Sequence, residues 1–196
     1  LPTKRPSCEG YEFFNFYEAA QSVGGDFFDY VTLPGERIAI TLGDVAGKGV
    51  PAALMMARLY SDARYHLLVE PTIGAALARL NDDVVRGGHG HRFVTYAGII
   101  LDPAEHQIRL ANAGHLPPLL IRGDQTVDKL GVAHANLPLG VDPDLTFEET
   151  VIDLAPGDAV VLYTDGVTEA TNEASDLYGM SRLIGCLSQP ASDIAE

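Results

Sequence analysis

The chain has 196 residues, 46% of them hydrophobic and 20 of them glycine, which suits one globular domain with a real core and excludes a disordered tract. Its 13 basic and 27 acidic side chains leave a formal net charge of −14, which sets the surface against nucleic acid and anionic membrane as partners. No apolar run approaches membrane-span length, and Cys8 and Cys186 stand alone outside any CxxC, so the expectation is one domain over 1–196 in a reducing cytoplasm with free thiols.

In chain order, the aromatic-rich stretch 11–18 predicts a strand. A second strand follows over 27–33 after Gly24-Gly25, then a turn at 33–36 and an apolar strand over 37–45, together an antiparallel meander. From Val50 the period changes. Pro51 opens a helix to about Val69, where Pro71 ends it. Thr72 is placed to cap a second helix through about Arg86, with Ile73, Leu77, Leu80 and Val84 at three-to-four spacing. Residues 87–91 read as a flexible loop. Strands resume over 93–101, 107–111, 118–122, 145–152 and 159–163, and 178–187 predicts a last helix. Strands, two helices, strands and a helix make an α+β fold with sheets covered by helices.

The chemistry-bearing residues stand at strand ends beside glycine. In Gly24-Gly25-Asp26-Phe27-Phe28-Asp29 the glycines let backbone approach a ligand closely. Asp26 and Asp29 fall on opposite faces if 27–31 is a strand, so they cannot share one ion unless the strand begins after Asp26. An Asp-capped turn explains the same pattern. At Leu42-Gly43-Asp44-Val45-Ala46-Gly47 an apolar strand ends in a carboxylate, which is costly there unless paired, hydrogen-bonded or metal-bound. A helix cap is the competing role for Asp44, though the helix starts far off, near Pro51. This stretch is no P-loop: only three residues separate Gly43 from Gly47-Lys48, and Gly49 follows where Ser or Thr is required.

A third apolar strand ends at Thr164-Asp165-Gly166, with Glu169 four residues beyond Asp165. Carboxylates gathered from such ends would repel and take up protons unless divalent cations neutralised them, and all-oxygen donors favour Mg²⁺ or Mn²⁺. His89 and His91 flank Gly90 without a zinc-ligand pattern. Asn112 and His115, at a strand-to-turn junction in an apolar stretch, either hold a structural turn or line the site.

With VGGDFFDY (23–30), GDVAGKGVPAALMMA (43–57), ANAGHLPPLL (111–120), LPLGV (137–141) and YTDGVTEATN (163–172) in this order, the chain resembles the metal-dependent protein phosphatases of the PPM superfamily. It is most similar to the bacterial SpoIIE/RsbU-type branch. The resemblance implies a phosphatase 2C-like sandwich of two antiparallel β-sheets flanked by α-helices, holding two Mn²⁺ or Mg²⁺ ions between the sheets. By the same resemblance Asp44 bridges the ions, the Val45 carbonyl and Asp165 ligate, and Asp26 holds a metal-bound water. Asp26, Asp44 and Asp165 are thus the implied catalytic set, with Asp29, Gly166, Asn112 and His115 as candidates to line the site.

The implied reaction is hydrolysis of phosphoserine or phosphothreonine on a regulatory protein, such as an anti-sigma-factor antagonist, by a metal-activated water. The helix from Pro51 resembles the switch helices that couple dimerisation or partner docking to site assembly, and a sensor or signalling domain is expected upstream. The family's closing strand carries a further metal-binding Asp. Ser192-Asp193-Ile194-Ala195 matches it only superficially, so a domain cut short at its C-terminus is expected. The competing expectation is a non-catalytic docking or dimerisation module on the same fold. A paired-ion nuclease would want a basic surface that this chain lacks.

Overall fold

The computed structural model describes residues 1–18, 24–47, 49–87, 92–134 and 136–189. The expected roles of Lys48, of 88–91 with His89 and His91, and of Ser192 to Ala195 lie outside the described residues.

Two antiparallel sheets form the centre. The larger has the order β1-β2-β3-β4-β7, from β1 (Phe27–Thr32), β2 (Ile38–Val45), β3 (Val94–Asp102), β4 (Gln107–Ala113) and β7 (Thr150–Asp153). The smaller has the order β6-β5-β8, from β5 (Leu119–Ile121), β6 (Val127–Lys129) and β8 (Ala159–Val161). The long helices α1 (Val50–Val69) and α2 (Ile73–Arg86) come between β2 and β3, and α3 (Asp165–Thr168) and α4 (Gly179–Leu187) close the described chain. Among the described residues no helix is long and apolar enough to cross a membrane.

Side-chain alternation along the strands assigns each face. In β3, Val94, Tyr96 and Ile100 join the core under α1 and α2, where Phe27, Val31, Val45, Leu59, Leu67 and Leu77 also pack. Ile99 and Leu101 face the other way, meeting Leu120 and Leu130 of the smaller sheet's side. A third cluster of Leu119, Tyr163 and Leu183 seats α4 on the far face of the smaller sheet. The layers therefore run helices, sheet, sheet, helix.

α1 starts with Pro51 in its first turn and stops at Glu70, just before Pro71. Thr72 caps α2 as its position predicts, its hydroxyl accepting from the Ala75 N–H at 3.2 Å. Two strand expectations change, and one strand is new. Residues 11–18 form no strand; their backbone lacks a ladder partner apart from the Cys8–Tyr11 bridge. Their aromatic alternation serves packing instead: Tyr11 and Phe13 lie on the inter-sheet core, and the Phe14 carbonyl accepts from the Tyr30 hydroxyl at 3.2 Å.

Residues 145–152 pair only from Thr150 onward, because the stretch before it covers the start of α2. There Glu149 Oε1 accepts from the Gly74 N–H at 2.9 Å, and the Phe147 carbonyl sits where a Gly74 side chain would be. β6, of three residues without an apolar run, carried too little pattern to be expected.

Candidate active site

Asp26, Asp44 and Asp165 come from three separate points of the chain and meet at one end of the cleft between the sheets. Asp44 shares the parity of Ile40 on β2, which faces the smaller sheet, so the strand delivers its carboxylate into the cleft. Asp26 precedes β1 on the same face, its side chain within hydrogen-bonding contact of Asp44. Asp165 follows β8 and opens α3, close enough to act on Asp44 electrostatically. The sheets are also joined here directly, since the Thr164 hydroxyl donates to Asp26 Oδ2 at 2.9 Å.

The electrostatics are those of a site that wants positive charge. Burial first, then the hydrogen bond to Asp26 and the charges of Asp26 and Asp165, push the Asp44 carboxyl up to about 7. Among the described residues no three His, Cys, Asp or Glu side chains are drawn together tightly enough to hold an ion as they stand. The donor chemistry nevertheless fits a hard cation, because the set consists of carboxylates and a backbone carbonyl. The backbone fits too: a Cβ on Gly25 would lie 2.7 Å from the Val45 carbonyl oxygen and 3.3 Å from Asp44 Oδ1. Only glycine leaves that oxygen clear. Asp44, Val45, Asp26 and Asp165 are thus the residues that could hold divalent ions. Gly166 follows Asp165 on the exposed rim.

Asp29 does not join them. It shares the helix-facing side of β1 with Phe27 and Val31, although β1 begins after Asp26 as shared ligation would have required. Its Oδ2 accepts from the Arg64 guanidinium at 2.6 Å, and its Oδ1 accepts from the Tyr60 hydroxyl and the Tyr30 N–H, both at 2.9 Å. The motif's second acid therefore fastens α1 to the sheet.

Asn112 and His115 are buried behind the carboxylates. Asn112 Oδ1 accepts from the His115 N–H at 2.8 Å, and its amide donates to the His115 carbonyl at 3.1 Å, closing the turn. The ring of His115 contacts the Thr95 hydroxyl at 2.7 Å through Nδ1 and the Tyr163 carbonyl at 3.1 Å through Nε2. Burial drives its pKa down, favouring the neutral ring. Both residues support the site from behind. LPLGV is framework as well: Leu139 and Val94 exchange backbone hydrogen bonds at 2.8 and 3.0 Å, and Pro138 packs on Gly114. Thr95 and Thr164 went unforeseen, since lone hydroxyls carry no pattern; their places beside Asp44 in register and before Asp165 in sequence were the available signal.

A family model described as Stage II sporulation protein E (SpoIIE) matches residues 34–196. The chain belongs to the SpoIIE family. Its relatives include Protein IcfG of Synechocystis, 28% identical over 95% of this chain and 33% of that protein. Phosphoserine phosphatase RsbU of Bacillus subtilis is 33% identical over 88% of this chain and 51% of that protein. The SpoIIE-family chain thus spans about a third to a half of the length of these curated relatives.

Among solved structures, the RsbU and RsbW domains of Rv1364c from Mycobacterium tuberculosis superpose with a TM-score of 0.73 at 29% identity, over 86% of this chain and 47% of that one. The SiaA-PP2C domain of Pseudomonas aeruginosa gives 0.75 at 24%, over 92% and 73%. The two-sheet sandwich is therefore the PP2C-like fold.

Proposed function

We propose that the chain is the catalytic domain of a metal-dependent protein serine/threonine phosphatase of bacterial signalling. The observation that carries this reading is the meeting of Asp44 from one sheet and Asp165 from the other, with Asp26 against Asp44, in a half-buried pocket of oxygen donors. Family membership and relatives named phosphoserine phosphatases support it.

The chemistry supplied by Mn²⁺ or Mg²⁺ held there is polarisation of the phosphoryl oxygens and acidification of water near neutral pH. The chain's own part is to converge carboxylates that must be deprotonated to ligate, so the proton that burial favours on Asp44 would leave on loading. It keeps the Val45 carbonyl accessible through Gly25 and holds the two sheets in fixed relation. The substrate in this reading is a phosphorylated regulatory protein of the anti-sigma-factor antagonist type, in the cytoplasm. A second copy would dock along α1, whose Val50, Leu54, Tyr65 and Leu68 are exposed.

Turnover of p-nitrophenyl phosphate by the full-length protein tests the proposal. Activity should require Mn²⁺ or Mg²⁺, vanish with chelator, and fall at least about a thousandfold in the D44A/D165A double variant. Turnover that persists in that variant, or a folded protein with no metal-dependent hydrolysis, overturns it; the second result would favour the docking module.

A further inference from the structure

We propose that His115 is a positioning residue that fixes the separation of the two sheets at the carboxylate site, acting as a strut between Thr95 and the Tyr163 carbonyl. The inference rests on the phosphatase reading above and adds to it what holds the halves of the site in register.

For a neutral ring the geometry leaves one chemical arrangement. A backbone carbonyl only accepts, so the contact to Tyr163 at 3.1 Å requires the hydrogen on Nε2. In a neutral ring Nδ1 is then an acceptor, and the Thr95 hydroxyl donates to it across 2.7 Å. Each end of the strut lands beside one half of the site. Thr95 is the direct partner of Asp44 in the β2–β3 register. Tyr163 lies two residues before Asp165, just past the end of β8.

The root of the ring is anchored, because Asn112 holds the His115 backbone by both its N–H and its carbonyl. His115, Asn112 and Tyr163 are all under a tenth exposed, which keeps water from competing for these bonds. Another direct polar link between the sheets at this end, Thr164 to Asp26, runs on the cleft side. Two struts, one behind the carboxylates and one among them, define the distance across which Asp44 and Asp165 must cooperate. Hydrogen bonds to metal ligands themselves typically change metal affinity or activity by about 10- to 100-fold when removed, which sets the scale for a strut one step behind them.

The test uses the full-length protein and reads Mn²⁺ affinity by calorimetry, alongside metal-free melting temperature. Thr95→Val keeps the shape and removes the donor; Thr95→Ser restores it; His115→Gln retains a donor and an acceptor on a looser side chain. The expected result is Mn²⁺ binding weakened about 10- to 100-fold in Thr95→Val, restored by Thr95→Ser and intermediate in His115→Gln. Nitrogen NMR of the wild-type imidazole should show the Nε2–H form.

Thr95→Val binding Mn²⁺ like wild type, with only its melting temperature lowered, would reduce the bond to ordinary packing and overturn the proposal. The Nδ1–H form would overturn it without any variant. A folded wild type that takes up no Mn²⁺ fails earlier, at the phosphatase reading, and removes the basis of the strut with it.

Discussion

Replacing Asp29 by alanine separates a ligand from a fastening. In the structure this carboxylate is 5% exposed and accepts three hydrogen bonds. Arg64 is 44% exposed and can return to water, so its ion pair counts nearer a surface bridge, about 0.5–1 kcal/mol. The Tyr30 N–H and the Tyr60 hydroxyl lose an acceptor in half-buried surroundings, about 1 kcal/mol each. The expected loss is therefore about 2–3 kcal/mol, which in a domain of this size lowers the melting temperature by about 5–10 °C.

Thermal melts of D29A, R64M and the pair should give a coupling energy of at most about 1 kcal/mol. Phosphatase assays well below both transitions should find turnover and half-saturating Mn²⁺ close to wild type, unlike D26A. A D29A protein that melts normally but loses metal affinity would refute the assignment to α1 and return Asp29 to the site.

Gly25→Ala should weaken Mn²⁺ binding about tenfold or more with little loss of fold, because its Cβ would crowd the Val45 carbonyl at 2.7 Å; unchanged metal affinity by calorimetry would show that oxygen to be unused. Gly74→Ala gains helix propensity worth up to about 1 kcal/mol, yet should destabilise by about 2–3 kcal/mol in denaturant melts, because the added methyl meets the Phe147 carbonyl at the start of α2. In chelator, the raised Asp44 pKa stabilises the fold below about pH 4 and that contribution is lost as pH rises through about 7. After discounting for exposure it is on the order of 1–2 kcal/mol, and because the lowered His115 pKa acts in the opposite sense, destabilising the fold as pH falls below the free-histidine range, the check is the difference from D44N. That variant's melting temperature should vary less steeply downward between pH 5 and 8; parallel profiles would remove Asp44 as the cause.

Much of the fold was legible because two periods dominate it. The helix signals were local and complete: Pro51 at the start of α1, Pro71 beyond its end, and Thr72 as a true cap. The β1–β2 pair was equally plain, since its apolar runs are bounded by turn residues, while the meander expected with 11–18 loses its first strand. What failed was inference from composition to pairing. Residues 11–18 have strand-like aromatics, but a strand exists only where another backbone accepts its hydrogen bonds, and that partner is not encoded locally. The same holds at 145–149, where Glu149 is drawn to the first turn of α2 instead of a ladder.

The site divides along the same line. Strand ends with Asp and Gly marked Asp44 and Asp165, and alternation already set Asp26 and Asp29 on opposite faces of β1. Choosing which of those two belongs to the cleft needed the third dimension: Arg64 and Tyr60, a full helix away in sequence, claim Asp29. ANAGH remained open between turn and site lining for a similar reason. His115 closes its turn with Asn112 and reaches Thr95 and the Tyr163 carbonyl through its ring. A motif residue can thus be fixed by the site's geometry without touching what the site binds. Chemistry-bearing residue types in a row locate such a site, but the hydrogen bonds each one accepts decide whether it acts or holds.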